Sequence, residues 1–209
     1  MTTHSRPFLA TAVLLALATT PAMAGEIAIE AQAGYFQMAA SNSASAVFGS
    51  NGGATFGGAA RYTIWRGAFV SAGARTFSKD GERVFVATAN SPVQKLGFPL
   101  SVRITPVFVQ AGYRFRNGHN LVPYASAGVA ITSYKEESEV AGEAFNTDLT
   151  KTGFVGALGL EVGRGHFRFG AEGGYSSVPS ALGLGGVSKV YGEDDLGGGY
   201  VIGKVIVAF

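Results

Sequence analysis

Three observations predict an all-β chain folded as a closed antiparallel up-and-down barrel that crosses a membrane with eight strands. Apolar and polar residues alternate with a period of two in segments of about ten residues. Short turns and long polar loops take turns between those segments, and after residue 24 no run of 18 uninterrupted apolar residues supplies a helical span. Composition agrees: 47% of the 209 residues are hydrophobic, only 14% are charged, and 31 are glycine. Ordinary soluble domains carry about 25% charged residues and about 7% glycine. The absence of cysteine excludes a disulfide scaffold and any Cys-ligated metal site, and a net charge of +2 is too small to imply a nucleic-acid partner.

Residues 1–24 read as a signal peptide. A polar stretch carrying Arg6 precedes an apolar run from Phe8 to about Thr19, then Pro21 and the small-x-small triplet ending at Ala24. Signal peptidase cleaves after such triplets, so Ala22 and Ala24 mark the cleavage site and Gly25 the start of a barrel domain spanning 25–209.

The first strand covers 26–36, with Ile27, Ile29, Ala31, Ala33 and Tyr35 facing one way and Glu26, Glu30, Gln32 and Gly34 the other. In the second, Phe56, Gly58, Ala60, Tyr62 and Ile64 oppose Gly57, Ala59, Arg61 and Thr63. In the third, Val70, Ala72, Ala74 and Thr76 oppose Ser71, Gly73 and Arg75. The fourth changes phase: Val107, Val109, Ala111, Tyr113 and Phe115 oppose Gln110, Gly112 and Arg114, whereas upstream Leu100, Val102 and Ile104 take the face that was polar. A proline at that switch, Thr105-Pro106, suggests a β-bulge. Residues 121–134 are almost uncharged, and Ala125, Ala127, Val129 and Ile131 are assigned outward.

The sixth strand sets Phe154, Gly156, Leu158, Leu160 and Val162 against Gly153, Val155, Ala157, Gly159 and Glu161. The seventh, 166–176, sets Phe167, Phe169, Ala171, Gly173 and Tyr175 against His166, Arg168, Gly170, Glu172, Gly174 and Ser176. The eighth sets Val201, Gly203, Val205, Val207 and Phe209 against Tyr200, Ile202, Lys204 and Ile206. Tight turns at 65–67, 116–120 and 163–165 belong on the periplasmic side with both termini; long loops at 39–54, 78–99, 135–150 and 177–194 belong outside. Because Arg83 to Thr88 also alternates, the second loop holds either a hairpin above the membrane or two further strands, which would make ten.

A soluble barrel and a membrane barrel share this alternation with opposite faces wet. The polar faces hold mostly Gly, Ala, Ser and Thr with about one ion per strand, which suits a crowded lumen better than a solvated exterior. The opposite register would turn Arg61, Arg75 and Arg168 to lipid, where a midplane Arg costs about 2 to 4 kcal/mol. The apolar faces therefore meet lipid. Glu30, Arg61, Arg75, Arg114, Glu161, Arg168, Glu172 and Lys204 are assigned to a lumenal ion network, because buried charges persist only when paired. That network is either a structural plug or the selectivity element of a pore. In a barrel this narrow the plug has the stronger claim.

The chain ends on Phe209, preceded on its face by Val207, Val205, Gly203 and Val201, a pattern that resembles the C-terminal signal read by the barrel-assembly machinery. Together with Gly112-Tyr113-Arg114-Phe115 and Val122-Pro123-Tyr124-Ala125-Ser126-Ala127-Gly128, it makes the chain resemble the small bacterial outer-membrane β-barrel superfamily of OmpA transmembrane domains, OmpX, OmpW and opacity-type proteins. The resemblance implies a bacterial outer-membrane location and, as partners, outer-membrane lipid, lipopolysaccharide and, during biogenesis, the assembly machinery. A monomer is expected, with no nucleic acid and no cofactor.

Catalytic and metal residues are assigned nowhere. His119 and His166 read as turn and interface residues, without the His-x-Ser pairing used by lipid-modifying barrels. The glycine-rich stretch Gly183 to Lys189 lacks the order of a phosphate loop and reads as an external loop. Glu193-Asp194-Asp195 offers clustered carboxylates to a hard cation, with a solvated loop base as the plainer reading. Tyr35, Phe56, Tyr62, Tyr113, Phe115, Phe154, Phe167, Tyr175 and Phe209 read as interfacial girdles. The functional expectation is a non-enzymatic envelope or surface-interaction protein acting through its long loops. The alternatives are a small pore or transporter for ions or hydrophobic solutes, and a soluble ligand-binding barrel.

Overall fold

The computed structural model describes residues 25–116, 120–140, 143–183 and 185–209. The signal peptide, with Ala22 and Ala24, and the turn residue His119 lie outside the described residues. Eight strands follow in order: β1 (Glu26–Met38), β2 (Gly52–Trp65), β3 (Ala68–Phe85), β4 (Gln94–Arg114), β5 (Leu121–Val140), β6 (Glu143–Arg164), β7 (Phe167–Ser177) and β8 (Gly198–Ala208). Each pairs antiparallel with the next, and β8 returns to β1 to close the barrel. The seam is finished at the last residue, where Phe209 N donates to Ile27 O at 2.8 Å. Two helices lie on the outer side, α1 (Ser41–Phe48) between β1 and β2 and α2 (Gly186–Tyr191) between β7 and β8.

The faces follow the alternation. Val107, Val109, Val129, Ile131, Phe154 and Leu158 are exposed on the outside, while Ile202 and Ile206 are buried inside with Lys204. At the first periplasmic turn the chain needs Gly67, whose φ of +106° is left-handed and where a Cβ would come within 2.3 Å of Arg114 O. At the third, His166 Nδ1 lies 2.6 Å from Ala208 O and ties the start of β7 to the end of β8.

Two expectations are corrected here. The first concerns Thr105-Pro106, where β4 pairs with β5 in unbroken register from Leu100↔Ser138 to Arg114↔Tyr124, so no bulge occurs. Leu100, Val102, Ile104, Phe108, Gln110 and Arg114 all point inward. What inverts is the solvent outside, because apolar Val107 and Val109 give way to Thr105, Arg103 and Ser101 on the same outer face. Thr76, Thr105, Ser133 and Thr150 lie side by side across β3 to β6 at this height, with Thr76 Oγ1 and Thr105 Oγ1 3.3 Å apart. This hydroxyl row marks the outer edge of the lipid-facing band.

The second concerns the loops. The stretch read as a long loop at 135–150 is instead paired, β5 and β6 continuing to Val140↔Glu143, while at 78–99 the hairpin above the membrane is the alternative found, with β3 and β4 continuing to Phe85↔Gln94. The count stays at eight because these are extensions of existing strands. A transmembrane strand needs about 9–11 residues. β7 and β8 have 11 each, whereas β4, β5 and β6 have 21, 20 and 22, so half the wall rises well above the membrane.

Candidate functional site: a lumen closed in two layers

All eight residues assigned to the lumen face it, joined by Glu26. From the periplasmic end, Glu26 accepts from Arg114 Nη1 at 2.8 Å and from Arg168 Nη1 at 2.7 Å, with Arg116 Nη2 at 3.7 Å. Arg114 Nη2 then meets Glu161 at 2.8 Å. Glu161 also pairs with Arg61, whose Nη1 lies 3.1 Å from Glu30. Lys204 bridges Glu30, at 3.1 Å, to Glu172, and Arg75 reaches Glu172 at 3.9 Å. Each carboxylate thus serves at least two cations. With Arg61 at 2% and Glu161 at 1% exposure, no solvent screens the pair between them.

Arg168 and Glu172 lie on one face of β7 but belong to opposite ends of the chain of pairs, Arg168 to Glu26 and Glu172 to Lys204. Sequence reasoning left out Glu26, although it shares the polar face of β1 with Glu30. It also left out two tyrosines. Tyr124 and Tyr200 donate their hydroxyls to Glu172 at 2.7 and 3.1 Å, and the Arg75 guanidinium stacks 3.8 Å over the Tyr200 ring. Glycines make the room: a Cβ on Gly159 would meet the Tyr124 ring at 2.3 Å, and one on Gly174 the Tyr200 ring at 2.4 Å. The usable signal was a tyrosine on the polar phase of a strand whose neighbour offers glycine on the same phase.

The void left among Glu30, Arg61, Glu172 and Lys204 is about 10 Å³. One water needs about 10 to 15 Å³ by that measure, so a hydrated ion does not fit.

Above Arg75 the interior becomes apolar. Phe36 and Phe77 pack edge to face at 5.2 Å, and the space they share with Ile104, Phe108 and Val178 leaves a void of about 30 Å³. Over it sits a cork. Ala44 of α1 packs with Met38, Leu100, Val102, Tyr134 and Leu196. Glu193 holds the cork in place by accepting from Asn42 N and Ser43 N, at 2.9 and 2.8 Å, at the start of α1. Asp195 accepts from Ser177 Oγ, Val178 N and Gly197 N at 2.7 to 2.8 Å. The run Glu193-Asp194-Asp195 therefore ties loops together rather than forming a solvated base. Among the described residues no cluster of metal-ligand type occurs.

Outside the membrane, burial and then the Glu136 carboxylate, which accepts from Tyr134 OH at 2.6 Å, push the Tyr134 phenol up from its ordinary range. At the hairpin above β3 and β4, the Lys95 ammonium and then Gly97 N–H hold the Glu82 carboxyl below its usual range.

The outer face sorts into two aromatic belts. Tyr35, Phe56, Phe154 and Tyr175 lie toward the outer side, and Trp65, Tyr113, Phe115, Phe167 and Phe209 toward the periplasmic turns, all exposed. A closed ring of eight strands with a lipid-facing band, two belts and a charged interior is the geometry of an outer-membrane barrel. A family model described as an outer membrane protein beta-barrel domain matches residues 10–179. The chain belongs to this family. Its place is the bacterial outer membrane.

Among solved structures, the chain resembles Ail, the attachment invasion locus protein of Yersinia pestis, in complex with the heparin analogue sucrose octasulfate. Identity is 14% and the TM-score 0.53, over 90% of this chain and 100% of that one. Neisserial surface protein A matches at 16% identity and TM-score 0.53, over 91% and 100%. A major outer membrane protein from Thermus thermophilus matches at 10% and 0.52, over 90% and 100%. At these identities the likeness concerns the fold. A comparison with curated protein sequences finds no match.

Proposed function

We propose that this barrel is a non-enzymatic surface-interaction protein whose working part is the raised sheet of β3 to β6 and whose lumen is a structural plug. The observation that carries this reading is the double closure: ion pairs fill the lower lumen and the α1 cork fills the upper one, while half the wall extends past the membrane. In this reading the C-terminal face of Val201, Gly203, Val205, Val207 and Phe209 serves the assembly machinery, and lipopolysaccharide surrounds the outer belt. The barrel acts as a monomer. Removal of residues 1–24 as a signal peptide completes the reading.

The test pairs two measurements. The whole chain in planar bilayers is expected to give no discrete openings. Replacing residues 135–148 with a two-residue turn is expected to leave a heat-modifiable barrel while reducing cell sedimentation and the retention of expressing cells on sulfated-polysaccharide and protein-coated surfaces. Stable openings together with unchanged retention would overturn the reading.

A second reading, capture of hydrophobic solutes, is favoured by one feature. An open cleft of about 480 Å³ at the outer mouth is lined by Val47, Val84, Leu96, Leu100, Leu149 and Leu182. Pockets of this size and lining take small apolar ligands. Saturable binding of an apolar fluorophore, lost on Leu100→Asp, would support it.

A further inference from the structure

The periplasmic mouth of the barrel holds a cavity of about 310 Å³ that the plug does not fill. Among the described residues that line it, four are arginines, Arg114, Arg116, Arg164 and Arg168, and two are glutamates, Glu26 and Glu161. Those two carboxylates are already committed. Glu26 is divided among Arg114, Arg116 and Arg168, and Glu161 is shared by Arg114 with Arg61 deeper in the lumen. Arg164 donates from Nε to the neutral amide oxygen of Asn120 at 2.6 Å. Arg114 is 2% exposed, and its Nε is a buried donor without a hydrogen-bond partner. The mouth therefore carries excess positive charge and unused guanidinium donors, the combination that binds tetrahedral oxyanions in bidentate fashion.

The rim of the cavity lies at the height of the periplasmic aromatic belt, where Arg164 pairs with Phe167. The mouth thus opens beside the level at which the belt of Tyr113, Phe115 and Phe167 surrounds the barrel. A phosphate group presented at that level, on a headgroup or in solution, matches the arginines.

We propose that this mouth is a binding site for a phosphate monoester or diester anion, held by Arg116, Arg164 and Arg168 around the Glu26 cluster. The phosphate is supplied by a phospholipid headgroup of the inner leaflet or by a soluble periplasmic phosphate. Binding would place a fixed anion under the ion network and balance charge that Glu26 and Glu161 leave over.

The test uses the whole folded chain in a maltoside detergent, which carries no phosphate. Inorganic phosphate and dihexanoyl phosphatidylglycerol are titrated separately by calorimetry, alongside the double variant Arg116→Gln/Arg164→Gln. Both changed side chains lie at the exposed rim, and heat-shifted gel mobility verifies that the variant barrel folds. Saturable binding of the lipid, at least tenfold weaker in the variant and weakened by salt, supports the site with a headgroup source. Equal binding of phosphate alone supports it with a soluble source. No binding of either anion, or binding unchanged in the folded double variant, overturns it.

Discussion

Below Arg75 the interior is held by Glu26, Glu30, Glu161 and Glu172 with their cations; above it, by Phe77, Ile104, Leu196 and the α1 cork. The backbone is one continuous sheet across that change, and the inward face of β4 runs from Leu100 to Arg114 without a break in register. Only the medium outside differs. Where lipid covers Val107 and Val109, those apolar side chains go out and the interior takes Gln110 and Arg114 beside Phe108, so that its polar groups must be paired. Where water covers Arg103 and Ser101, the apolar side chains go in and build the core of an ordinary soluble sheet. The inversion along β4 is thus a record of where the membrane ends.

The comparison can be broken at either layer. Glu161→Ala removes the anion shared by Arg61 and Arg114, leaving buried Arg61 to Glu30 alone and Arg114 to Glu26 alone. A loss of about 3 to 5 kcal/mol in barrel stability is expected from breaking a buried network on one side. Urea unfolding in vesicles, followed by Trp65 fluorescence, reads it. A loss below about 1 kcal/mol would mean that the pairs do not hold the lower half together.

Leu196→Ala is expected to act on the cork, at about 2 to 3 kcal/mol for a Leu buried to 1% exposure. Here the transmembrane barrel should keep its heat-modifiable mobility while protease cleavage within 178–197 accelerates several-fold. Loss of the barrel itself would show that the two layers are one cooperative unit rather than two.

How far the sequence reveals these layers differs between them. In the lipid-covered section the strands show their period, except that 121–134 carries almost no charge to orient it, and the lumenal ions can be placed on the correct face from Glu30 to Lys204. The partner of each ion is another matter. Glu26 meets Arg168 across 142 positions and Arg114 across 88, contacts that only closure of β8 onto β1 and the full ring create. Tyr124 and Tyr200 were hidden for a related reason, since the glycines that admit their rings lie on adjacent strands.

Above the membrane the period itself fades. In Lys135-Glu136-Glu137-Ser138-Glu139 polar residues occupy both faces, the inner ones bonded, Glu136 to Tyr134 and Ser138 to Arg83, so a paired strand reads as a loop. The proline at 106 looked like a bulge because a change of solvent and a change of register produce the same slip in hydrophobic phase.

The absence of cysteine from the chain makes the boundary directly measurable. Single cysteines at 101, 103, 105, 107, 109 and 111, all on the outer face of β4, can carry a spin label in reconstituted vesicles. Collision with a water-soluble relaxant and with oxygen is then compared along the series. Labels at 101 and 103 should favour the aqueous relaxant and those at 107, 109 and 111 oxygen, with the crossover at 105. A crossover placed elsewhere, or alternation between the two environments along these six positions, would contradict a continuous strand passing from lipid into water at Thr105.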